Sequence, residues 1–220
     1  MRQHVSRVSQ TCIFHLRRIR SVRRQLSRDV TAKLVTTFVL SRFDHCNAVL
    51  AGLPATTIAP LQRILHAAAR TVLDLKLGDH VTPALRELHW LPITERIQYK
   101  LYLLVHKMFV GHAPDYIASL LVPASDTPSR SSLRSSSNCD LVVSRTSRKI
   151  GDRAFSVAAP RAWNRLPTDL KLLRSTASFK SKLKSFLFHV AYTGNTVSSG
   201  MRHRSACRGS TTSHCRNCYC

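Results

Sequence analysis

The chain has 220 residues, 44% of them apolar, with 34 Lys and Arg against 11 Asp and Glu and a formal charge of +23. That apolar content is enough for a packed core and excludes a wholly disordered chain. A surface this basic repels itself unless a polyanion meets it, so RNA or DNA is the expected class of partner.

In chain order, the first periodic segment covers about residues 4–22, with Val5, Val8, Cys12, Ile13, Leu16 and Ile19 as its apolar stripe. Arg17, Arg18, Arg20, Arg23 and Arg24 crowd its end. Cations suit a helix C-terminus, but five within eight residues exceed what a cap needs. Ser27 is an N-cap candidate for a second helix over about 29–50, through Val30, Leu34, Val35, Phe38, Val39, Cys46, Val49 and Leu50. Gly52-Leu53-Pro54 stops it. A third helix opens at Thr56 or Thr57 with Pro60 in its first turn. It presents Ile58, Leu61, Leu65, Ala68, Ala69, Val72 and Leu73 inward and ends at Gly78. The run Ala67-Ala68-Ala69 allows a close neighbour.

Residues 79–111 form the most strongly patterned stretch. Thr82 and Pro83 start a short helix, and Pro92 stops it near Trp90-Leu91. A long helix then runs to Gly111, a natural C′ residue. Ile93, Ile97, Leu101, Leu104, Val105 and Met108 fall on one face of it. Trp90 sits at the elbow and is expected to wedge into the core with its indole N–H on a carbonyl. A short helix near 114–121 follows.

Seven Ser and two Pro among residues 123–137 mark a break. Beyond it, Leu141–Val143 and Ala154–Val157 read as two short strands around a basic turn, a possible hairpin. A last helix starts at Ser175 or Thr176, with Phe179, Leu183, Phe186 and Leu187 inward and Lys180, Lys182 and Lys184 outward. Past Tyr192 the apolar residues run out. The expected organisation is mainly α: a helical bundle over 4–121, a Ser-rich linker over 122–137, a small α+β region over 138–190 and a disordered tail over 191–220.

The charge excess sits on the flanks. Residues 1–33 carry +8, residues 34–121 only +2, residues 122–191 +9 and residues 192–220 +4. Candidate phosphate contacts are therefore Arg17, Arg18, Arg20, Arg23 and Arg24; Arg145, Arg148, Lys149, Arg153, Arg161 and Arg165; and Lys180, Lys182 and Lys184. No apolar run approaches a membrane span and no secretory core opens the chain. The seven cysteines are expected as thiols in an intracellular protein, nuclear or cytoplasmic. The acid-free first 28 residues also fit a mitochondrial presequence, but the same helix makes sense as part of the folded bundle, and that is the expectation.

Several strings point further: SRFDHCNAVLAGLP at 41–54, LQRILHAAAR at 61–70, HVTPALRELHWLPITERIQYKLYLLVHKMFVGHAPDYI at 80–117, RSSLRSS at 130–136 and GDRAFSVAAPRAWNRLPTDL at 151–170. In this order the chain resembles the C-terminal part of reverse transcriptases from LINE-type, non-LTR retrotransposons of the jockey and chicken-repeat kind, over roughly residues 5–190. The resemblance implies a thumb-like helical bundle and the region after it. It also implies that this portion grips template–primer or element RNA while polymerase and endonuclease centres lie elsewhere in such proteins.

The chemistry of polymerisation needs carboxylates holding two Mg²⁺ ions. No Asp-Asp pair occurs in the sequence, and its only two Glu are Glu87 and Glu95. Asp44 in Phe43-Asp44-His45 is read as a polar surface or capping contact, and His89 as a core or elbow histidine rather than a ligand. Cys207, His214, Cys215, Cys218 and Cys220 supply ligand types for zinc, but only Cys215-x-x-Cys218 has the spacing of a pair. The expectation is therefore no catalysis, no metal, no cofactor, no small-molecule substrate and non-specific contact with nucleic-acid backbone. A domesticated structural or interaction protein, or the inert product of a decayed element, fits the same composition.

Overall fold

In the computed structural model, residues 1–76, 78–126, 139–148 and 150–193 are described. Helix α6 (Ile93–Phe109) is the shared support. Its buried Ile93, Ile97, Leu101 and Val105 lie on the face expected from their spacing. Gly111 follows its end at φ +77°, a conformation that favours glycine. On one side α6 meets α4 (Ala55–Leu73), and on the other α8 (Phe155–Trp163) and α10 (Thr176–Tyr192). Buried side chains from Val5 to Leu187 belong to one hydrophobic cluster running through all of these helices.

Helix α1 (Arg2–Ser21) packs on α4 and runs in the same direction. Val5, Val8 and Leu61 line one small cleft near the two starts, and Arg20 reaches Thr71 near the two ends. Ala68 and Ala69 are fully buried, as small residues at a close helix approach should be. Cys12 is also fully buried, and burial pushes its thiol up to about 11, which leaves it unreactive. Ile13, expected inward, is exposed.

The second helix differs from its expectation. It starts as α2 (Arg28–Val35), capped by the Ser27 side chain on Val30 N–H. It then widens into a π turn (Thr36–Leu40) and closes as α3 (Ser41–Asp44). Cys46 turns left-handed at φ +53°, and a 3₁₀ turn (Asn47–Leu50) follows. The buried face is Thr31, Val35, Val39, Leu40 and Phe43; the wider turn leaves Phe38 outward, and Val30, Cys46 and Val49, expected inward, are also exposed. Helix α4 begins at Ala55, which places Pro60 in its second turn, and ends at left-handed Asp74, four residues before Gly78.

Helix α5 (Val81–Glu87) precedes the elbow, where His89 is left-handed at φ +53° and Trp90 N–H donates to Leu85 O at 2.9 Å. Trp90 is 9% exposed, as the wedge reading requires. Its backbone also receives α10: Tyr192 Oη donates to the Trp90 carbonyl at 2.5 Å. A short α7 (Asp115–Ala118) follows α6.

The mainly helical expectation holds, but the hairpin does not form. Among the described residues there is no strand, only an isolated bridge between Pro123 and Leu141. Phe155–Val157 opens α8 instead. Its alternation was ambiguous because Val157, Pro160 and Trp163 also fit an i, i+3, i+6 helical face, and Ala158, Ala159 and Ala162 favour that choice. Leu141 pairs elsewhere: its N–H donates to Asn164 Oδ1 at 2.9 Å, and Asn164 Nδ2 donates to its carbonyl at 2.8 Å. The amide side chain takes the place of a strand edge. Most of the Ser-rich linker and nearly all of the expected tail lie outside the described residues.

Helix α10, capped by Ser175, runs back along α6 after the short α9 (Thr168–Lys171). His106 stacks on Phe179 at 4.0 Å, and its Nε2 bonds the Leu173 carbonyl at 2.9 Å. Its Nδ1 is buried without a partner. Burial lowers its pKa from 6.5, against the Leu173 bond, which raises it. Folding is then linked to pH in one direction. Between the folded value and 6.5, the unfolded chain binds the extra proton, so stability is full above 6.5 and is lost as pH falls through that window. Burial raises the Glu95 carboxyl above 4.5, which acts in the opposite sense. The His106 share is therefore read as a difference: urea midpoints should fall below pH 6.5 more steeply in the wild type than in His106→Leu. Parallel pH profiles would remove His106 from the linkage.

Candidate nucleic-acid interface

Fourteen basic residues were expected to face a polyanion, and the structure sorts them by what they touch. At the end of α1, Arg20 Nε donates to Thr71 Oγ1 at 2.9 Å. In the following 3₁₀ turn (Arg23–Gln25), Arg23 donates to the carbonyls of Thr71 at 2.9 Å, Val72 at 3.0 Å and Leu26 at 2.9 Å. The last carbonyls of a helix lack intrahelical donors and carry the negative end of its dipole. Arg20 and Arg23 thus clasp the end of α4, a role set by tertiary packing. Arg17, Arg18 and Arg24 are exposed and form no ion pair among the described residues.

The second set lies between Cys139 and Arg165. Arg145 and Arg148 are exposed, and Lys149 lies outside the described residues. The Arg153 stem passes Gly52, where a Cβ would come within 3.1 Å of its Cγ. Gly52 is also left-handed at φ +68°, so both space and backbone favour glycine. Arg161 pairs with Asp152 Oδ1 at 3.0 Å. Hydrogen bonds from Thr146 and then Arg161 hold the Asp152 carboxyl below its usual range. Arg165 is exposed, and its charge reaches Tyr102. In the third set Lys180 and Lys182 are exposed on α10, while Lys184 is half-buried. Helix α1 packs on α4, and α10 packs on α6, so these sets stand on different layers.

One group escaped the sequence reading. Phe14 is 54% exposed and Phe38 42%. The His15 ring stacks on Phe38 at 5.3 Å and meets Phe14 edge-on at 5.5 Å. The Arg18 guanidinium lies 5.6 Å from the Phe14 centroid. Phe14 falls outside the buried Cys12–Leu16–Ile19 stripe and sits beside Arg17-Arg18, which was a usable signal. Phe38 gave none, because the π turn that exposes it leaves no mark in the spacing.

No protein-family model, curated protein or solved structure matches this chain.

Asp44 accepts from Arg96 at 2.9 and 3.1 Å, and Arg96 Nε also donates to Leu91 O at 2.9 Å, tying α3 to the start of α6. This is the polar contact expected for Asp44. Among the described residues, no three His, Cys, Asp or Glu side chains come together as metal ligands. Cys207, His214, Cys215, Cys218 and Cys220 lie outside those residues. Among the described residues, no helix is long and apolar enough to cross a membrane.

Proposed function

We propose that this chain is the thumb and post-thumb portion of a non-LTR retrotransposon reverse transcriptase, and that it holds RNA or DNA by the backbone without catalysis of its own. The observation that carries this reading is a set of cations with no acidic neighbour on their own helices. α1 and α10 contain no Asp or Glu, and Arg17, Arg18, Lys180 and Lys182 are exposed on them. The ordered strings over residues 41–170 support the family assignment. Phosphate contact falls to Arg17, Arg18 and Arg24 in the first set, since Arg20 and Arg23 hold α4. Proximity to phosphates neutralises charge without reading bases, so the binding is sequence-independent.

Anisotropy titrations against RNA and DNA over a salt series test this. Each phosphate neutralised contributes about 0.7–0.9 to the slope of log K against log salt. Changing Arg17, Arg18 and Arg24 to Gln should flatten the slope by about 2 units and weaken all sequences alike. The helix should persist, because Gln is a good helix former. Arg20→Gln with Arg23→Gln should instead lower the melting temperature and leave most of the slope. A wild-type protein whose affinity ignores salt would end the proposal.

A further inference from the structure

The rings beside Arg18 form a surface that the core does not need. Phe14, His15, Arg18, Ile19, Val22 and Phe38 line an open groove of about 290 Å³ between α1 and the π turn. Its walls are fixed from below. Cys12 Sγ contacts the Val39 carbonyl at 3.9 Å, which ties α1 to the π turn and keeps Phe38 beside His15. Val39, on the π turn, and Val35, at the end of α2, are fully buried, so Phe38 stands at the rim of a packed wall. Arg17 adjoins the groove in sequence on α1, and Arg24 lies two residues past Val22.

We propose that this groove stacks unpaired bases of a single-stranded nucleic acid, with Arg17, Arg18 and Arg24 on the flanking phosphates. The proposal rests on the backbone-binding reading above and deepens it. Single-strand binders combine a cationic track with aromatic faces on which successive bases lie. Here the rings and the guanidinium offer planar surfaces, and all the charged residues of α1 are Arg. A duplex hides its base faces within its own stack, so it gains nothing from Phe14 and Phe38. An unpaired strand brings both the planar groups and the negative charge that the groove lacks.

The test uses the full chain and three labelled probes of equal length: oligo(dT), an abasic strand and a duplex. Phe14→Leu with Phe38→Leu keeps apolar bulk and removes the aromatic faces. The wild type should prefer oligo(dT) to the abasic strand. The variant should lose about tenfold or more on oligo(dT), with duplex affinity and salt slope unchanged. Circular dichroism checks that the variant is folded. If it is not, Phe14→Leu alone, at the more exposed ring, carries the same expectation at smaller size. Unchanged oligo(dT) affinity in a folded variant overturns the proposal while leaving backbone binding in place. So does an equal loss on the abasic strand. A wild-type dimer that the variant breaks, seen by sedimentation, would reassign the groove to contact between copies of this chain. If the wild type binds none of the probes, the backbone reading fails first, and the groove proposal falls with it.

Discussion

Replacing Trp163 by Ala should destabilise the fold by about 3–5 kcal/mol, as truncation of a buried aromatic does. Trp163 is fully buried where α6, α8 and α10 meet. Its ring lies 5.4 Å from Phe109 and 6.0 Å from Phe179, and its indole N–H donates to the Cys139 carbonyl at 2.8 Å. Truncation opens a cavity and also strips that carbonyl of its donor, two losses that fall on the same site. Trp163→Phe keeps most of the ring and should cost less. Trp90→Ala should also cost less than Trp163→Ala. The Trp90 ring is less enclosed, and the bond from Tyr192 reaches the Trp90 backbone, which survives truncation. Urea denaturation of the three variants ranks them. A Trp90 variant weaker than the Trp163 variant would return the central wedge to the elbow, where the sequence pattern placed it.

The second large effect is expected at Asp140. The Lys171 side chain is 4% exposed, and its ammonium is held by Asp140 Oδ1 at 2.7 Å and the Asn164 carbonyl at 3.2 Å. Removing one partner of a buried pair leaves a charge without compensation and costs about 3–5 kcal/mol. Asp140 itself is 28% exposed, so water can partly replace it and the lower end of that range applies. Asp140→Ala should therefore cost about 3 kcal/mol. Adding Lys171→Met should restore much of the loss, because an apolar chain of similar length removes the stranded charge. A double variant no more stable than Asp140→Ala would mean that the stranded Lys171 charge does not set the cost.

Residues 139–141 gather their importance from these contacts. The Cys139 carbonyl receives Trp163, the Asp140 carboxylate receives Lys171, and the Leu141 backbone receives Asn164. On the other side Ala124 N–H donates to Asp140 O at 2.8 Å and Val142 N–H to Val122 O at 2.9 Å. An extended segment read as half of a hairpin is in fact pinned between the end of α8 and residues 122–124.

What the sequence determined by itself was local. The long helix over Ile93–Phe109 followed from one apolar face between Pro92 and Gly111, and the last helix from Ser175 and the Phe179–Leu183–Leu187 stripe. These signals arise between neighbours three or four residues apart. The excess of cations on both flanks was equally plain, because composition needs no partner. Only the tertiary structure decided which arginines remain available. Arg20 reaches the Thr71 hydroxyl and Arg23 the Val72 carbonyl, both about fifty positions away at the end of α4, and nothing in the local sequence distinguishes them from Arg17 and Arg18. It also decided that Phe38 lines a groove and that Phe155–Val157 is helical. A short apolar run satisfies a strand or a helix until a distant surface selects its inward face, and here that surface is α6.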